Sequence, residues 1–183
     1  SVEDLLRRLE EESRKDLDDS RRLLDESRKR HEDLLRKSEE LLRELEERLR
    51  RLLEKVKKKG LDDSDVKRLE KKARDLLKEL REAHKRSRDN SERDIRDLER
   101  VHRESEKRHR DLRKKLEDVR RSRREDVIRK LIEDYERLVK ESTDRNRRAV
   151  EKSRENLKRL DKENRDVIEK ARRIIEELEK EVK

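Results

Sequence analysis

The sequence predicts an all-α fold, a long, nearly straight up-down-up antiparallel three-helix bundle, and three observations carry that expectation. Helix formers dominate: 62% of the 183 residues are charged, there is one Gly and there is no Pro, and Arg, Lys and Glu all favour helix, though Asp does not. The apolar minority, 26% of the chain, recurs at a helical period. Two turn signatures then divide the chain into three parts of near-equal length. So high a charge content ordinarily marks disorder or a solvated single helix. The periodic apolar minority argues for a folded bundle instead. A compact globule is roughly half apolar, so a thin rod fits this composition better.

The first helix is expected over about 2–59. Its inward positions run 2, 6, 9, 13, 17, 20, 24, 27, 31, 35, 38, 42, 45, 49, 52 and 56, fifteen steps over 54 residues, or 3.6 per step. A strict heptad would impose a left-handed supercoil, whereas a 3.6 period leaves the helix unstrained. Its stop lies in Lys57-Lys58-Lys59-Gly60-Leu61. With Gly60 just past the end, Val56 and Leu61 form the apolar pair of a Schellman motif. Asp62, Asp63 and Ser64 then offer N-caps.

The second helix is expected over about 64–120 and the third over 123–182. Ser122 and Glu125 have capping-box spacing, and Asp126 adds negative charge to a first turn. Phase supports a break here, because the apolar stripe of 66–119 centres near roughly 80° and that of 127–182 near roughly 180°. One unbroken helix would keep a single face. The whole of 1–183 is therefore expected to be a single three-helix bundle, with short turns making its neighbours antiparallel.

The centre of the inward stripe is polar. The first helix places Ser13, Ser20, Ser27, His31 and Ser38 there, between flanking leucines such as Leu23, Leu24, Leu34 and Leu35. The second places His84, Ser87, Ser91, His102, Ser105 and His109, and the third Ser142, Asn146, Ser153 and Asn164, with Asn156 nearer the edge. Folding the chain at its turns makes partners in helices one and two sum to about 123, and in two and three to about 244. Ser13 then meets His109 and Tyr135, Ser20 meets His102 and Ser142, and His31 meets Ser91 and Ser153. Ser38 meets His84, near Ser87 and Asn164, while Ser27 lies near Asn146. Burying an unpaired hydroxyl or amide costs about 1–3 kcal/mol. Paired groups avoid that cost, and any slipped register would orphan several at once. Apolar segments close both ends: 2–9, 112–119 and 127–139 at one, 45–56, 66–80 and 167–182 at the other.

Over its whole length the chain resembles the family of de novo designed helical bundles built around buried hydrogen-bond networks. The Ser/His/Asn levels, the Gly60-Leu61-Asp62-Asp63-Ser64 connection and surfaces such as Glu44-Leu45-Glu46-Glu47-Arg48 carry the resemblance. The second connection, which has no Gly, departs from it. The resemblance implies a scaffold with no natural activity.

Other function classes find less support. Four buried histidines suit neutral network members, and a pH-responsive bundle is the alternative. A metal site lacks H-x-x-x-H or H-E-x-x-H spacing and any Cys. Catalysis lacks an oxyanion hole, a cleft or a loop, so no enzyme and no cofactor are expected. A net charge of +9 and the basic run from Lys107 to Arg124 allow salt-sensitive, nonspecific nucleic-acid binding, while Tyr135 as sole aromatic leaves no stacking platform for specific recognition. No apolar run approaches the roughly 20 residues of a membrane span and no signal peptide opens the sequence, so a soluble protein is expected. Partners are not required. A monomer is expected, with a self-associating helical module as the rival.

Overall fold

The computed structural model describes residues 2–122 and 124–183. It is an all-α three-helix bundle of α1 (Val2–Lys58), α2 (Asp63–Arg121) and α3 (Glu125–Val182). Each helix opens on carboxylates (Glu3 and Asp4, Asp63 and Asp65, Glu125 and Asp126) and closes on cations (Lys55, Lys57 and Lys58, Arg120 and Arg121, Lys180). That polarity matches the helix dipole at both ends.

The first connection follows the sequence expectation. Gly60 has φ 63°, the only positive φ among the described residues, where an L side chain would be strained. Val56 is fully buried, and Leu61 packs onto the same apolar cluster. The Val66 N–H donates to the Asp62 carbonyl at 3.0 Å, making Asp62 the cap residue of α2.

The second connection corrects the expected capping box. The Ser122 N–H donates to the carbonyls of Asp118 and Val119 at 3.0 and 3.1 Å, which ties Ser122 to the end of α2. Because α3 begins only at Glu125, Ser122 lies two residues before the cap position that a capping serine would occupy. Its Oγ instead accepts the Arg124 N–H at 3.3 Å, a local serine turn. Arg124 takes the cap position, its carbonyl accepting the Ile128 N–H at 3.1 Å.

Contacts gather into two compact units, each built from all three helices: 1–29 with 93–155, and 30–92 with 156–183. The first has an apolar cluster of Leu6, Leu9, Leu112, Leu116, Val119, Ile132 and Tyr135. The second packs Leu45, Leu49, Leu52 and Val56 against Leu69, Leu76, Ile175 and Leu178. Each fully buried Leu or Ile contributes about 1.5–3 kcal/mol. Within each unit, contacts show α1 antiparallel to α2 and parallel to α3. Most of the inward series of α1 is buried or half-buried, except Val2, which stays 43% exposed and outside the apolar cluster.

Candidate functional site

The buried Ser, His and Asn side chains gather along the core. In the first unit, Ser13 Oγ is hydrogen-bonded to His109 Nδ1, and Ser20 Oγ to His102 Nδ1 at 2.7 Å. In the second, Ser91 Oγ lies 2.9 Å from His31 Nδ1, and Ser38 Oγ 3.3 Å from His84 Nδ1. All four pairs join α1 to α2, all use Nδ1, and in all four the residue numbers sum to 122. The expected sum was about 123, so this register was legible almost to the residue. His31 and Ser91 are both fully buried.

His102 is held from both sides. Its Nε2 lies 2.7 Å from Glu106 Oε1, one turn along α2. A carboxylate only accepts, so a neutral ring carries its proton on Nε2, and Nδ1 accepts from the Ser20 hydroxyl. The result is a Ser–His–Glu relay with its serine in the core.

Contacts to α3 are displaced from those the sequence suggested. Ser142 donates to Asp16 Oδ2 at 2.7 Å, and Asn146 Nδ2 donates to Asp16 Oδ1 at 3.3 Å. Ser105 donates to Asn146 Oδ1 at 3.4 Å, Ser153 to Asp94 Oδ2 at 2.9 Å, and Asn164 Nδ2 to Ser87 Oγ at 3.2 Å. The α2–α3 pairs therefore sum to 251 (105 with 146, 87 with 164) and 247 (94 with 153), not 244. Two causes act together. The connection is centred between Arg121 and Glu125, which moves the level sum to 246. Side chains also lean toward their own helix N-terminus, so antiparallel partners meet above the level sum. Of the expected site, Tyr135 is buried and donates to the Leu9 carbonyl at 3.0 Å, and Ser27 is buried on α1.

Sequence reasoning missed Asp16, Asp94 and Glu106. Asp16 gathers Ser142, Asn146 and Thr143, whose Oγ1 donates to Oδ1 at 3.1 Å. A signal for it existed, since Asp16-Leu17 stands where Leu-Leu doublets recur elsewhere along α1. Asp94 is buried and sits at three- and four-residue steps between Ser91 and Leu98, in phase with the inward series.

Burial and the neighbouring Arg113 and Arg14 hold the His109 ring below the usual imidazole range, against the opposing pull of Asp16 and Asp18. Burial likewise pushes the Tyr135 hydroxyl up, with a hydrogen bond from Ser13 opposing. Arg108 is pushed down by burial and by Arg145, and its Nε is the only buried side-chain nitrogen or oxygen without a partner among the described residues.

The cavities beside these groups are small. Those at Ser13 and Ser20 each hold about 10 Å³, and the one at Ser38 about 20 Å³, room for one water at most. Among the described residues no three metal-ligating side chains come together, and no helix is long and apolar enough to cross a membrane. No protein-family model matches the chain, and neither a curated protein nor a solved structure shows significant similarity to it.

Proposed function

We propose that this chain is a designed structural scaffold without catalytic activity, whose buried Ser, His and Asn side chains specify the register of its helices. The observation that carries the reading is the constant sum of 122 shared by four Ser–His pairs across α1 and α2. An apolar interface with a 3.6 period tolerates slippage, because one leucine packs nearly as well as the next. A slip of one heptad to a sum of 129 still sets His102 beside Ser27 and His109 beside Ser20, but it places His31 opposite Leu98 and His84 opposite Leu45, leaving buried groups unsatisfied at a cost of about 1–3 kcal/mol each.

The Ser20–His102–Glu106 relay has the residue types of a nucleophile and its base, but a cavity of about 10 Å³ beside Ser20 admits no substrate carbonyl. That size supports a structural role. The test is disulfide trapping. Cys pairs set at the sum of 122 and at heptad-shifted sums are compared in the parent chain and in a variant with Ser→Ala and His→Leu at all four levels. The reading expects the parent to close only the in-register pair and the apolar variant to close both. In-register closure alone in both chains overturns it.

A second reading has a specific observation behind it. His109 resists protonation in the fold because of burial, Arg113 and Arg14, so acidification works against the unit that holds it and pH response accompanies the scaffold role.

A further inference from the structure

The outer face of α2 carries a row of like charges. Arg96, Arg100, Arg103, Lys107, Arg110 and Lys114 follow one another at alternating steps of four and three, and Arg121 continues the row two turns on. All seven are exposed. At 100° per residue they fall within a sector about 80° wide, in which Asp118 is the one carboxylate. Residues 96–124 contain 13 Lys and Arg against 7 Asp and Glu, so 6 of the net +9 charges reside there. The outer face of α1 has the same spacing with the opposite pattern: Arg7, Glu11, Arg14, Asp18, Arg21 and Asp25 alternate strictly in sign. The row on α2 is therefore a local departure from the balanced surface rather than a consequence of composition.

Its flanking carboxylates are partly engaged elsewhere. Glu99 pairs with Arg28 of α1, and Glu106 takes His102 Nε2. Arg100 contacts Asp97 at 3.8 Å and Arg103 acts on Glu99 through its charge, while Lys107, Arg110, Lys114 and Arg121 form no ion pair within 4.0 Å among the described residues. Cations about 5 Å apart along roughly 37 Å of helix form a straight line of charge against the solvent.

We propose that this row binds duplex nucleic acid through its phosphate backbone, independently of sequence. A duplex presents about one phosphate per 1.7 Å of axis, and its neutralised counterions are released on binding. Single strands are disfavoured because bases need exposed rings to stack on, and Tyr135 is buried. A membrane surface is disfavoured because Val2 is the one exposed large apolar side chain among the described residues, leaving nothing to insert beneath the headgroups.

Fluorescence anisotropy with a labelled mixed-sequence duplex of about 20 base pairs, between about 25 and 200 mM NaCl, tests this. The parent chain should bind in low salt, with affinity falling at a log–log slope of about −4.5 to −6.3 for five to seven phosphates. Replacing Arg103, Lys107, Arg110 and Lys114 by Gln should weaken binding at least tenfold. Replacing Arg7, Arg14, Arg21 and Arg154 by Gln removes the same charge and should weaken it less than threefold. Gln keeps helix propensity, and circular dichroism checks each fold. Asp118→Lys fills the gap in the row and should tighten binding about threefold, a gain that misfolding does not imitate. Equal losses in the two quadruple variants, no binding at low salt, or tighter binding to phosphatidylserine-containing vesicles than to duplex overturns the proposal.

Discussion

Removing Ser20 and His102 singly and together isolates the interaction on which the scaffold reading depends. The two side chains are buried, with Oγ and Nδ1 2.7 Å apart, a full-strength geometry for this pair. Ser20→Ala leaves Nδ1 without a donor in a site with room for one water, so it should cost about 1–3 kcal/mol. His102→Leu leaves the Ser20 hydroxyl unpaired and releases Glu106 to solvent, with a similar cost. The double variant Ser20→Ala/His102→Leu removes both halves of the bond and should be less destabilised than the two single losses together, by a coupling energy of about 1–2 kcal/mol. Urea unfolding followed by circular dichroism gives all four stabilities. The same cycle on Ser38 and His84, half-buried and 3.3 Å apart, should give a smaller coupling because solvent competes for both groups. A Ser20–His102 coupling below about 0.5 kcal/mol, the level at which independent sites simply add, would refute the reasoning.

Other consequences follow from particular contacts. Asp16→Ala strands the donors of Ser142 and Asn146, while Thr143 keeps the Val139 carbonyl, and should cost about 2 kcal/mol; Asp16→Asn, which keeps an acceptor, should cost clearly less in the same unfolding assay. The His109 ring charges at lower pH in the fold than when unfolded. Above the unfolded value of about 6.5 both states are neutral, so it contributes no pH dependence there; stability then falls as pH drops below that value, until the folded ring also charges. Unfolding midpoints should therefore decline more steeply on acidification for the parent than for His109→Gln, and parallel profiles would remove His109 as a source. Gly60→Ala meets no steric obstruction but keeps a φ of 63°, so it should cost about 1–2 kcal/mol. Leu69→Ala opens a hole in a nearly closed apolar cluster and should cost about 2–5 kcal/mol.

Much of this organisation is legible in the sequence, and what escapes has physical causes. The α1 series at 3.6 spacing, the Gly60 stop and the approximate α1–α2 register are visible because each rests on a short-range rule: helical phase, a positive φ, and a short turn that narrows the pairings among which the polar levels select. The α3 register is harder to read, because the Gly-free connection could be placed only by phase, and side-chain lean then shifts every partner. Asp16 and Asp94 escaped for a different reason. An Asp in a highly charged sequence looks like solvated surface, and its role depends on three-dimensional neighbours such as Asn146 and Ser153. Glu106 shows the limit most clearly, since four-residue spacing from His102 is common in any charged helix and only the ring orientation selects it.

The central claim is that polar pairs, not apolar packing, select the register. Distances between spin labels at Glu11 and Arg93 in the first unit, and at Lys37 and Lys71 in the second, test it most directly when measured in the parent and in a variant with all four Ser–His pairs replaced by Ala and Leu. A one-heptad slip moves the labels by about 10 Å along the axis. The account predicts one narrow distance for each label pair in the parent and additional distances about 10 Å away in the variant. A single unchanged distance in the fully apolar variant would contradict it.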